Sequence, residues 1–152
     1  MENTKDFTSG WMDHRKALLE LLDTFNDGQL NYKPWENGMT LSELVLHTTG
    51  ATAMFAQTVK NGEFTPPSGP STVESIQELK EIVREQTEQT QAALESLTGE
   101  QLGKLIDFSG MKMTGSAMLE MARDHEIHHK GQLFTYARML GIEELPFFIS
   151  RA

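Results

Sequence analysis

Five histidines are set in a chain that has no cysteine: His14, His47, His125, His128 and His129. Three of them fall within Asp124-His-Glu-Ile-His-His-Lys-Gly-Gln132. A helix turns ~100° per residue, so His125 and His129 stand ~40° apart, one turn above the other, and His128 lies ~60° to the side of His125. Two imidazoles at i and i+4 on one face can chelate a single cation, the geometry of HExxH zinc helices. An inward pair is costly otherwise, because each buried polar group left unpaired costs ~1–3 kcal/mol. A metal satisfies two of the four ring nitrogens, and outer hydrogen bonds satisfy the others and set the tautomers. A third ligand has to come from another helix. His47 is the best candidate, because it borders an apolar face carrying Leu44 and Ala51. His14, four residues before Leu18, is weaker because it sits near the exposed start of its helix. His128 reads as an outer or rim residue rather than a ligand. Met118, Met121 and Met139 read as core filler, since thioethers suit soft copper(I) and their spacing is simply helical.

Four long segments of helical periodicity must hold these side chains. The first spans about residues 9–26, with Trp11, Leu18, Leu21, Leu22 and Phe25 on one stripe and Gly28 as its stop. The second, residues 41–60, follows a capping box in Thr40-Leu-Ser-Glu43 and ends at Asn61-Gly62. The third, residues 73–97, follows a box-like Ser71-x-x-Glu74 and has glutamate-rich outer faces. The fourth, residues 114–140, carries the histidine cluster and ends at Gly141, with Met118, Met121, Ala122, Gln132, Tyr136 and Leu140 flanking the histidines on one stripe. Residues 98–113 are punctuated by glycine, with a short turn of helix around 100–105 and no strand-like alternation. The apolar tail at residues 145–149 is expected to pack back on the body or on a partner. An all-α four-helix bundle follows, as a single domain over residues 1–152. The connection at residues 61–72 can span ~40 Å when extended, enough to cross a ~30 Å helix and leave the second and third helices parallel.

Composition narrows the function classes. The absence of cysteine excludes disulfides, thiolate metal sites, iron–sulfur clusters and a cysteine nucleophile. Thirteen Lys and Arg against 22 Asp and Glu give a net charge of −9, with no basic block. Binding to nucleic acid or to anionic membranes is therefore disfavoured. The polar N-terminus lacks a signal-peptide pattern, and no apolar run approaches the ~18 residues of a membrane span. The expected location is the cytoplasm.

His125-Glu-Ile-His-His-Lys-Gly-Gln-Leu133 resembles the C-terminal signature of the DinB/YfiT-like family, and Leu41-Ser-Glu-Leu-Val-Leu-His47 resembles its helix-two motif. Tyr32-Lys-Pro-Trp35 and the pattern from Thr114 to Leu140 match in order and spacing, so the similarity runs from about Trp11 to Gly141. The resemblance implies a bundle in up-down-down-up order, often as a homodimer. It also implies a divalent metal, zinc or nickel in most members, on three histidines that correspond to His47, His125 and His129. The family includes transferases and isomerases that depend on bacillithiol or mycothiol, and proteins described as metal-dependent hydrolases.

Three readings follow. In the first, an open three-histidine site binds an incoming thiol. With no cysteine of its own, the protein takes that thiol from a small cosubstrate such as bacillithiol and transfers it to an electrophile, with His128 or Glu43 as outer base or orienter. Glu43 is already engaged if the capping box forms. In the second, the same site uses water as the nucleophile of a hydrolase. In the third, the protein is a non-catalytic metal-binding or stress-response module. The first two readings imply a small-molecule substrate, with specificity set by the loops at residues 32–39 and 65–70. Trp11, Phe147 and Phe148 could pair across a dimer axis or pack within the chain.

Overall fold

The computed structural model describes residues 1–151. Its long helices are α1 (Lys5–Leu22), α2 (Leu41–Asn61), α3 (Ile76–Glu95) and α5 (Gly115–Met139), and the short α4 (Gly99–Gly103) leads into a hairpin of β1 (Leu105–Phe108) and β2 (Met111–Thr114). Local chemistry sets most boundaries. The Thr40 hydroxyl accepts from the Glu43 amide while the Glu43 carboxylate accepts from the Thr40 amide, a reciprocal cap that starts α2. Thr114 caps α5 by accepting from the Ala117 amide.

Two apolar clusters give the topology. One joins the N-terminal halves of α2 (Leu41, Leu44, Val45) and α3 (Leu79, Val83) to the C-terminal halves of α1 (Leu18, Leu21, Leu22) and α5 (Leu133, Tyr136, Ala137). The other joins the opposite halves: Phe55 and Val59 of α2, Ala93 and Leu94 of α3, Trp11 of α1, and Met118 and Leu119 of α5. Helices α2 and α3 are therefore parallel, and α1 and α5 run against both. This is the up-down-down-up bundle, with the chain between α2 and α3 running back along its length. Among the described residues, no helix is long and apolar enough to cross a membrane.

Three local expectations need correction. Helix α1 begins at Lys5 and ends at Leu22, because buried Thr4 donates its hydroxyl hydrogen to the Leu94 carbonyl and pins the start of α1 to the end of α3. Helix α3 is capped by Ser75 and Glu78 rather than Ser71 and Glu74, and the Asp27 carboxylate accepts from the Ile76 amide at 2.8 Å. Residues 105–114 form strands. Ser109 and Gly110 both have positive φ, the two-residue turn that matches strand twist, and Ile106 and Phe108 face the second cluster. The two strands are four residues each, too short for alternation to register, and the Ser-Gly dipeptide was the available signal.

The tail folds back through its main chain. The Ser150 amide donates to the Asp13 carbonyl, and the Lys130 ammonium donates to the Phe148 carbonyl. Phe147 and Phe148 nevertheless stay exposed.

Candidate metal centre

Helix α5 presents two sides of different chemistry. Its buried positions are Gly115, Met118, Leu119, Ala122, Glu126, Lys130, Leu133, Tyr136 and Ala137. The middle of the inward stripe is thus occupied by Glu126 and Lys130, and the His125/His129 pair lies at its edge, half-buried, facing α2. Glu126 is fully buried and bound by three side chains from α1 and α2. Arg15 holds both its oxygens, at 2.9 and 2.6 Å, while the Trp11 indole N–H and the Thr52 hydroxyl donate to Oε1 at 3.0 and 2.7 Å. Arg15 also donates to Thr87 of α3. This polar layer ties all four long helices together between the two apolar clusters. Burial pushes the Glu126 carboxyl up, but the Arg15 charge and the three donors outweigh it and hold it below the usual range.

The structure brings His47, His125 and His129 together, with one ring nitrogen from each lying within 4.8 Å of the others. The His47 ring stands 5.0 Å from that of His125 and 4.9 Å from that of His129. His125 Nε2 and His129 Nε2 are 3.1 Å apart. His129 Nδ1 lies 2.7 Å from Gln132 Oε1, an acceptor, so Nδ1 carries the hydrogen and Nε2 presents its lone pair toward His125. His125 Nδ1 is buried without a hydrogen-bond partner among the described residues. Two ring nitrogens face to face beside a third imidazole form a group that could hold a metal ion. Two ~2.0–2.1 Å Zn–N bonds place ligand nitrogens at most ~4.2 Å apart. The observed set is a little wider, and the His47 ring is exposed.

Of the remaining sequence candidates, His128 is exposed, its ring 4.8 Å from that of His129. Glu43 is exposed and engaged by the Thr40 amide, which, with the Thr40 hydroxyl bond, lowers its carboxyl pKa. His14 lies outside the cluster, its Nδ1 accepting from the buried Lys130 ammonium at 2.8 Å. Burial first, then the Lys130 charge, lowers its pKa. The sequence put Gln132 on the histidine stripe without its contact to His129, and it gave Arg15 and Glu126 no role. The i+3 spacing of Gln132 from His129 was a signal for that contact, and nothing local marked the other two residues.

Burial, then the neighbouring His129, His47 and His128, push the His125 imidazole down to about 4. Burial and His129 also lower His47. Between its ordinary 6.5 and about 4, the unfolded chain protonates His125 while the folded chain largely does not. In chelator, His125 should therefore cost the protein stability as pH falls from about 6.5 toward 4. The check is the urea midpoint of wild type against His125→Asn at pH 7, 5.5 and 4.5. The wild type should lose more than the variant, and parallel curves would contradict a shielded imidazole.

The DinB family pattern matches residues 1–151. The chain belongs to the DinB family. This DinB-family chain is 38% identical over 154 residues to the uncharacterized protein YjoA of Bacillus subtilis, with 99% of each chain covered. The crystal structure of that DinB-like protein superposes with a TM-score of 0.85 over 97% of this chain and 100% of the other. A DinB-like protein from Bacillus cereus, 20% identical, shares the fold with a TM-score of 0.81, covering 96% of this chain and 97% of its own.

Proposed function

We propose that this DinB-family protein is a divalent-metal-dependent transferase that moves a low-molecular-weight thiol onto a small electrophile, with zinc or nickel on His47, His125 and His129. The observation that carries this reading is the convergence of three imidazoles from α2 and α5, with no carboxylate among them. Three neutral ligands leave the ion its full charge and an open position, the catalytic rather than the structural pattern. When bound, the ion supplies a Lewis acid that stabilises a thiolate at neutral pH.

The chain's own residues do the rest. Gln132 fixes the tautomer of His129 through Nδ1. The lowered basicity of His125 and His47 keeps both rings unprotonated near neutral pH, ready to act as ligands. The exposed His128 ring, beside His129, accepts the proton that the incoming thiol gives up. Glu43 is held by its cap on Thr40 and has no part in the proton transfer. The protein has no cysteine, so the sulfur comes from the cosubstrate.

The test uses tag-free protein loaded with zinc or nickel, given bacillithiol or glutathione and an electrophile such as 1-chloro-2,4-dinitrobenzene. Adduct formation should need metal and thiol together and be lost in His125→Ala. Thiol-independent cleavage of esters would point to a hydrolase instead, and inertness in both assays to a binding module. Separately, Gln132→Leu should weaken metal binding by about 10–100-fold, the usual cost of losing an outer hydrogen bond to a ligand. Competition against a chromogenic chelator reads it, and unchanged affinity would remove Gln132 from the site.

A further inference from the structure

Beside His47, the α2 member of the histidine group, runs a cleft of about 420 Å³ that the metal reading leaves without a task. Its floor is one outer stripe of α2, His47, Gly50, Ala51 and Met54, at helical i, i+3, i+4 and i+7 spacing. Met39 closes one wall, and the loop carrying Pro67, Gly69 and Pro70 forms the other. The volume lies within the ~300–1,000 Å³ of small-molecule pockets.

Three features define what fits. The walls are largely apolar, and the two methionine side chains are adaptable surfaces that accept varied apolar shapes. Ser68 and Ser71 add hydroxyls at the loop wall, and the polar group whose orientation is fixed is Gln86: Thr49 donates its hydroxyl hydrogen to Gln86 Oε1 at 2.5 Å, which turns the Gln86 amide nitrogen toward Gly69 in the loop wall. That nitrogen makes no hydrogen bond among the described residues and offers two donors to the cleft. The ionised lining group is a carboxylate, Glu43, and no Lys or Arg lines the space. With a net charge of −9, anions are repelled.

Gly50 sharpens the picture. It sits inside α2, where glycine costs about 1 kcal/mol against alanine. An added Cβ there would meet nothing within 4 Å, so packing does not require the glycine. What its missing side chain leaves is room in the cleft one turn from His47.

We infer that this cleft is the substrate-selecting subsite of the histidine centre, and that it takes an uncharged molecule with an apolar body and a carbonyl oxygen accepting from Gln86. The link to chemistry rests on the transferase reading; the occupancy of the cleft does not.

Amide-detected NMR titration of the intact protein with N-phenylacetamide, benzamide and benzoate tests it, with zinc uptake measured in parallel. The two uncharged amides should shift His47, Gly50 and Gln86, with benzoate binding at least about tenfold more weakly. Gly50→Leu should fill the space and remove the amide response while zinc uptake stays intact. Gln86→Leu, which leaves the floor untouched, should weaken both amides about tenfold, the worth of one hydrogen bond. Equal binding of benzoate, shifts confined to other surfaces, or a full response in both variants would overturn the inference. Amide binding without zinc uptake would sink the metal reading and leave the cleft standing, and zinc uptake without amide binding would do the reverse.

Discussion

Replacing His47 with alanine is expected to weaken divalent-metal binding by more than about 100-fold while leaving the bundle folded. Losing an outer hydrogen bond to a ligand costs about 10–100-fold, and losing the ligand itself costs more. The fold should tolerate the change because His47 is exposed on α2, where substitutions usually move stability by no more than ~0.5 kcal/mol. His125 and His129 would remain as an i, i+4 pair, able to hold a metal weakly. Metal analysis of tag-free protein and chelator competition measure the loss, and circular dichroism confirms the helices. Full stoichiometry in His47→Ala would refute the three-histidine assignment and, with it, the transferase reading.

The second large effect lies at Glu126. Glu126→Ala is expected to destabilise the protein by about 3–5 kcal/mol, because Arg15 would be left as a fully buried, uncompensated charge. For a chain of this size that lowers Tm by on the order of 10 °C. The Trp11 N–H and Thr52 hydroxyl would lose their shared acceptor as well. Arg15→Met combined with Glu126→Leu should recover most of the loss, since an apolar pair of similar volume often matches a buried ion pair. Thermal or urea unfolding of the three proteins gives the comparison. If the double variant were as unstable as Glu126→Ala, the layer would be stabilising by its hydrogen bonds rather than merely tolerated.

The same layer shows where sequence reading reaches its limit. The charged residue at position 126 follows a histidine in a polar run, and nothing nearby marks it as interior. Its burial depends on Arg15 and Trp11, 111 and 115 residues away, and on Thr52 and Thr87 from two other helices. A stripe drawn through the His125/His129 pair therefore missed the true centre of the α5 face by ~60–100°. The cap of α3 failed for a related reason. Ser71 and Ser75 each precede a glutamate by three residues, and the Asp27 carboxylate, from the chain between α1 and α2, reaches the Ile76 amide that follows Ser75.

What the sequence determined unaided was whatever neighbouring residues decide between themselves: the α2 cap at Thr40, the i, i+4 histidine pair and the four long helices of the bundle. Tertiary structure alone decided which partner the pair meets. His47 and His14 both border apolar helix faces. Packing sets α2 beside the histidine edge of α5 and leaves His14 against Lys130 on its other side. Periodicity specifies the angle of a side chain about its own axis, whereas the distance between two axes is set by the whole core, which no short window of residues contains.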